Sequence, residues 1–192
     1  ASVGGRACVS ATAVYADLSS MTDPVPPLVV PPQALNSSED NVVVVPVTPH
    51  TDELTGPPAC WMPPGSQCLG ALDALRWFER ARTMSIGGAA GLEALQSSGV
   101  LVVVARLENF NLDIGAAAAA CVSPGRTLES RTAVAIRGRG RRVVFEQQVV
   151  DAREDQVVAW GVVTCVCVDA KTQRMMPVPP GLLMNNVVQV AP

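Results

Sequence analysis

Four arginines fall within six residues: Arg137, Arg139, Arg141 and Arg142. A guanidinium is a planar fork of N–H donors that matches phosphate oxygens. Such a cluster could grip a phosphorylated ligand, meet an acidic partner or simply stay solvated. Gly138 and Gly140, between them, do not make a phosphate-binding glycine loop, because they lie in a predicted turn with no helix after it. His50 is the single histidine; it could serve as a general base, although loop histidines more often face solvent. Asp73 stands in the first turn of a predicted helix, where an acid complements the helix dipole and can pair with Arg76 three residues on, or serve as a catalytic acid or base. Glu79, on the same helix, can pair with Arg76 or Arg82 or do acid–base work. Cys165 and Cys167 alternate along a predicted strand and therefore share a face. With one histidine and no second such pair, no zinc site is expected, nor any other metal or cofactor. Six cysteines are too few for a disulfide scaffold at this length, though a Cys60–Cys68 bridge would be compatible with the loop between them.

The elements that must position these groups follow from a core poor in rings. Hydrophobic residues make up 48% of the chain but aromatics only 4%, so Val, Ala and Leu fill the interior. The valine runs at 42–47, 100–109 and 157–168, with 127–136 and 142–150, predict strands, because β-branched chains suit a pleated sheet. Residues 71–86 predict the strongest helix. Its apolar members Ala71, Ala74, Leu75, Trp77, Phe78, Ala81 and Met84 cover more than half its circumference, so a sheet must wrap it. Gly87-Gly88 ends that helix, residues 92–97 predict a short second one, and residues 137–141 predict a hairpin turn. Residues 116–120 could form one helical turn or a loop. One strand, a long buried helix and four sequential strands make an α+β layout, with one helix in the hollow of a curved antiparallel sheet.

The ends of the chain are different in kind. Eleven of the 16 prolines fall in residues 1–65, and Pro24 to Pro32 must be extended. Residues 1–60 hold one base against six acids, the remainder 13 bases against 11 acids, so the two parts could attract each other. The expected organisation is an extended Pro-rich arm over 1–41, a domain over 42–182 and a tail over 183–192. The small, weakly charged stretch from Ala1 to Ala13 is what removal of a plastid or mitochondrial targeting peptide would leave. A net charge of −3 gives no reason to expect nucleic acid, and no apolar run reaches the roughly 20 residues of a membrane span.

Residues Leu75 to Arg82 (LRWFERAR) closely resemble the central-helix signature of the 4-hydroxybenzoyl-CoA thioesterase and YbgC-like acyl-CoA thioesterases, which have the hotdog fold. The stretches 102–108 (VVVARLE), 143–147 (VVFEQ) and 163–169 (VTCVCVD) look similar too, and the resemblance covers roughly 42–182. It implies hydrolysis of an acyl-CoA or acyl-carrier-protein thioester. Asp52, in the text His50 to Gly56 (HTDELTG), matches the family's catalytic carboxylate, with Gly70 and Ala71 offering backbone N–H groups to the oxyanion. The arginine hairpin matches a place where related enzymes contact coenzyme A phosphates, and edge-to-edge pairing into a homo-oligomer is implied as well. The catalytic loop departs from the pattern: the glycine arrives one residue late, 57–67 look like an insertion with four prolines, and Cys68 to Asp73 replaces a His-Val-x-Asn stretch. These departures, with the apolar arm, open a second expectation: an inactive hotdog scaffold serving as an accessory subunit of a larger complex, anchored by residues 1–40. A dehydratase-like role ranks last, since His50 lies some twenty residues before the helix.

Overall fold

The computed structural model of the chain describes residues 30–39, 41–47, 54, 68–113, 115–117, 127–182 and 188–189. His50, Asp52, Cys60, the proline-rich 57–67 stretch and most of the arm lie outside them. In chain order the elements are β1 (Val42–Val47), α1 (Ala71–Ser85), α2 (Gly88–Ser97), β2 (Val100–Leu112), β3 (Leu128–Arg137), β4 (Arg142–Asp151), β5 (Gln156–Asp169), β6 (Met175–Met176) and β7 (Val188–Gln189). The five long strands form one antiparallel sheet in the order β1-β3-β4-β5-β2. The short β7 pairs in parallel with β3 at Ala135 and Ile136, beyond the reach of β1. β6 pairs with β5 at Cys167 and Val168, where β4 has already turned away. Register shifts interrupt β2–β5 pairing after Val104 and Glu108 and β4–β5 pairing after Val149. Such irregularities bend strands and raise their twist, which lets the sheet close around a helix.

That helix is α1. Asp73, Ala74, Trp77, Phe78, Ala81 and Ser85 are buried along it, a stripe at helical spacing. The opposite side carries Arg76, Glu79 and Arg80. Met84, expected on the inner face, is 52% exposed, because the flank of the helix that is covered at Asp73 and Trp77 is left open in the last turn, where Ala81, Ser85 and Ile86 stay buried. The strands supply the matching face through alternation. On β4, Val143, Phe145 and Val149 join the core while Gln147 faces the backbone of α1. The core has two clusters. One gathers Leu69, Ala74, Trp77 and Phe78 with Leu128, Val149 and Val158 at the start of the helix. The other gathers Ile86 with Val143, Phe145, Val163 and Cys165 at its far end. Phe78 is fully buried and meets Phe110 edge to face at 6.1 Å between ring centres. Gly161 of β5 lies beside both rings, where an added Cβ would make ordinary contacts of 3.4 Å with Phe110 and 3.5 Å with Phe78.

Gly87 ends α1 in the left-handed region, at φ 94°, and starts α2, as glycine does at helix ends. The hairpin after β3 turns through Gly138, Arg139 and Gly140, all at positive φ, and closes with the Arg141 amide donating to the Arg137 carbonyl. Residues 115–117 form a helical turn, with the Ala116 amide donating to the Asp113 carboxylate. No helix of the described residues is long and apolar enough to cross a membrane.

A short piece of the arm packs on the outer side of the sheet. The Gln148 side chain accepts from the Leu35 amide at 2.8 Å and donates to the Gln33 carbonyl at 3.1 Å. Arg131, nearly fully buried, donates to the Leu35 carbonyl at 2.9 Å and is neutralised by Asp155 at 2.6 Å and Glu129 at 3.1 Å. The buried cation is therefore paired, as burial demands. Replacing Gln148 with Ala should cost this attachment about 1–2 kcal/mol, so hydrogen exchange at the Leu35 amide should quicken roughly 5- to 30-fold. Exchange unchanged from the wild type would mean that the segment is held by other contacts.

Candidate active site

The start of α1 is a tight polar corner. Gly70 precedes the helix in an extended conformation, and its amide donates to the Asp73 carboxylate at 2.7 Å. Asp73 is buried and lies 3.7 Å from the exposed Arg76, the i,i+3 pair expected from the spacing. Asp73 is thus committed to holding the helix start. The Gly70 amide is occupied by that carboxylate, while Ala71, at the first helical position, has an amide with no acceptor inside the helix. Leu54, from the loop that carries Asp52, is buried. Asp52 and His50 themselves lie outside the described residues.

The other end of α1 carries a different set. Glu79 and Arg82 line a cavity of about 170 Å³ together with Val102 and Val104 of β2, Phe145 of β4 and Cys165 of β5. Glu79 makes no ion pair with Arg76 or Arg82 among the described residues. Arg82 instead donates to the side-chain carbonyl of Gln147 at 2.7 Å. Gln147 is wholly buried, and its amide nitrogen donates to the Phe78 carbonyl at 2.9 Å and to the Thr132 hydroxyl at 3.0 Å. Burial pulls the Arg82 pKa down, with Cys165 and Glu79 nearby opposing that shift. Sequence reasoning did not single out Arg82 or Gln147 as site residues. The signal available was a glutamine pair in mid-strand, which must put one amide on each face of the sheet.

Cys165 and Cys167 share the inner face of β5 as their alternation predicts, both buried. Burial pushes the Cys165 thiol up to about 11, against the pull of Arg82. Only the thiolate is nucleophilic; at pH 8 roughly a thousandth of such a thiol is ionised, against about a quarter of an unperturbed one. Iodoacetamide at pH 8 should therefore label Cys165 at least ~100-fold more slowly in the folded protein than in urea, read by peptide mass spectrometry. Equal rates in the two conditions would contradict this environment.

All four hairpin arginines, Arg137, Arg139, Arg141 and Arg142, are exposed. Arg142 is in register with Val166, next to the Val143–Cys165 pair, so the hairpin lies at the cavity end of the sheet. The structure brings the arginines toward Glu79 and Arg82 and separates them from Gly70, Ala71 and Asp73 by the length of α1, about 22 Å. On the far side of the cavity β2 is the last long strand of the sheet. Its Val103 and Val104 are 44% and 51% exposed.

No protein-family model matches the chain, and no curated relative matches it. Solved structures do. The probable thioesterase YbaW from Escherichia coli superposes with a TM-score of 0.53 at 18% identity, over 73% of this chain and 92% of that one. A 1,4-dihydroxy-2-naphthoyl-CoA thioesterase from Synechocystis gives 0.55 at 12% identity, over 73% and 91%. The Staphylococcus aureus protein SAV2348, solved in complex with CoA, gives 0.55 at 8% identity, over 82% and 92%. With α1 enclosed by an antiparallel sheet in the order β1-β3-β4-β5-β2, this chain has the α+β hotdog fold, built like the thioesterases among these neighbours.

Proposed function

We propose that the protein is a thioester hydrolase acting on an acyl-CoA or an acyl-carrier protein. The observation that supports this best is the start of α1, where a small-residue entry, Gly70-Ala71, leads into the helix enclosed by the sheet. A thioester carbonyl placed there meets first-turn amides and the positive end of the helix dipole. On this reading Asp52 supplies the carboxylate, which either removes a proton from water as it adds to the carbonyl or attacks the carbonyl itself to form an anhydride that water then hydrolyses, freeing the acid and restoring the carboxylate. The thiol of the carrier leaves with a proton. The hairpin arginines hold the carrier's phosphates. Within one chain they stand a helix length from the Gly70 corner. Antiparallel edge-to-edge pairing of two copies along β2 exchanges the two ends and brings one copy's hairpin toward the other copy's corner.

The test is release of free thiol from a panel of short, long and aromatic acyl-CoAs. Turnover of at least one class is expected; absence of turnover across the whole panel would sink the proposal. A second reading, an accessory subunit without catalysis, is favoured by the attachment of Gln33–Leu35 to Gln148 and Arg131, which fixes where the arm leaves the domain. On that view the arm anchors the protein in a larger complex, in a plastid or mitochondrion. Removing residues 1–40 should then release it from its partners.

A further inference from the structure

A guanidinium withdrawn from water normally faces a carboxylate, and Arg131 on the outer side of the sheet faces two. Arg82 does not. Among the described residues its one hydrogen bond goes to a neutral amide oxygen, that of Gln147. The orientation of that amide is set by its surroundings. The Phe78 carbonyl can only accept, so the nitrogen of Gln147 must point to it and the oxygen must point to Arg82. Thr132 Oγ1 takes a second N–H from the same nitrogen. Three residues from α1, β3 and β4 thereby hold one guanidinium against the cavity wall, with most of its five donors unused by the described residues.

The rest of the cavity fits the same reading. Val102, Val104 and Phe145 make apolar walls able to cover a few methylene groups. The Cys165 thiol stays protonated and adds no negative charge. Glu79 also lines the cavity, but it is exposed, where water and salt screen it. We propose that this cavity is a subsite for a carboxylate joined to a short alkyl segment, with Arg82 as its anchor and Gln147 as the residue that positions Arg82. Resting on the hydrolase reading above and on its edge-to-edge pairing, the ligand is the free end of a dicarboxylic acyl group carried as its mono-thioester. The thioester carbonyl lies at the Gly70 corner of the paired copy, because about 18 Å of helix separate that corner from Arg82 within one chain. Arg82 then selects the substrate, forking onto both oxygens of the distal carboxylate.

Two measurements separate this proposal from the reading beneath it. The first needs no turnover: titration of the whole protein with glutarate, followed by calorimetry. Glutarate should bind the wild type, weaken roughly 10- to 100-fold in Arg82→Gln, and tighten in Glu79→Gln, which removes the competing charge. Arg82→Lys keeps the charge but loses the fork and should fall between wild type and Arg82→Gln; it remains informative if Arg82→Gln fails to fold. The second compares kcat/KM for succinyl-CoA with that for 4-methylpentanoyl-CoA, which has the same branched shape without charge. The wild type should prefer succinyl-CoA, and Arg82→Gln should reverse the order. Glutarate binding with Arg82 dependence but no turnover of any thioester upholds the subsite and removes the hydrolase reading. Turnover without succinyl preference, and without Arg82-dependent glutarate binding, overturns the subsite and leaves the hydrolase reading standing.

Discussion

Replacing Phe78 with Ala is expected to destabilise the protein by about 3–5 kcal/mol, read from the midpoint of urea unfolding. The ring is fully buried at the centre of α1 and meets Phe110 edge to face. It packs beside Gly161 of β5. Truncation therefore removes the transfer free energy of the ring and leaves a void that Gly161 cannot fill, since it has no side chain to move. The Phe78 carbonyl would remain to accept from Gln147, so the loss reports packing rather than the polar network. A total stability of 5–15 kcal/mol is usual for a domain, which makes this one substitution enough to leave much of the protein unfolded at 37 °C. A loss below ~1 kcal/mol would mean that α1 is not the enclosed rod on which the fold depends.

Asp52→Asn is expected to lower kcat for a turned-over acyl-CoA by about 10²- to 10⁴-fold. The amide keeps the size of the carboxylate but can neither take a proton nor form an acyl bond. Circular dichroism should be unchanged, separating loss of chemistry from loss of fold. Other acids of the α1 region are differently employed: Asp73 accepts from the Gly70 amide, and Glu79 stands exposed at the cavity. Unaltered kcat in the variant would assign the carboxylate role elsewhere and withdraw Asp52 from the mechanism.

The long elements were readable from side-chain type alone. Valine runs gave β1, β2 and β5 to within a few residues, and the apolar stripe gave α1, because burial on one or both faces leaves a period in the sequence. Met84 was misjudged because periodicity shows which residues share a side, not where the sheet stops covering it. The Arg82–Gln147–Thr132 chain was illegible for a related reason. In Glu146-Gln147-Gln148 three polar residues follow one another, and nothing local says which glutamine faces α1 and which faces residues 33–35. Ser130, Arg131 and Thr132 of β3 are likewise buried polar residues in a strand, and apart from the local Arg131–Glu129 pair their partners lie 15 to 96 residues away in the chain. The loop with His50 and Asp52 carries no periodicity, so only likeness to other sequences speaks for its role.

The manner in which residues 33–35 are gripped has a consequence for what the arm can become. The hydrogen bonds of Gln148 and Arg131 to the arm reach main-chain atoms: a carbonyl at 33, an amide and a carbonyl at 35. Such a clasp reads the backbone and ignores the side chains, so the arm is free to drift in composition, even toward the prolines crowded just before it at 31 and 32. One place is closed to that drift. Position 35 must keep its N–H, and proline, the residue this arm otherwise favours, is the only one of the twenty that has none.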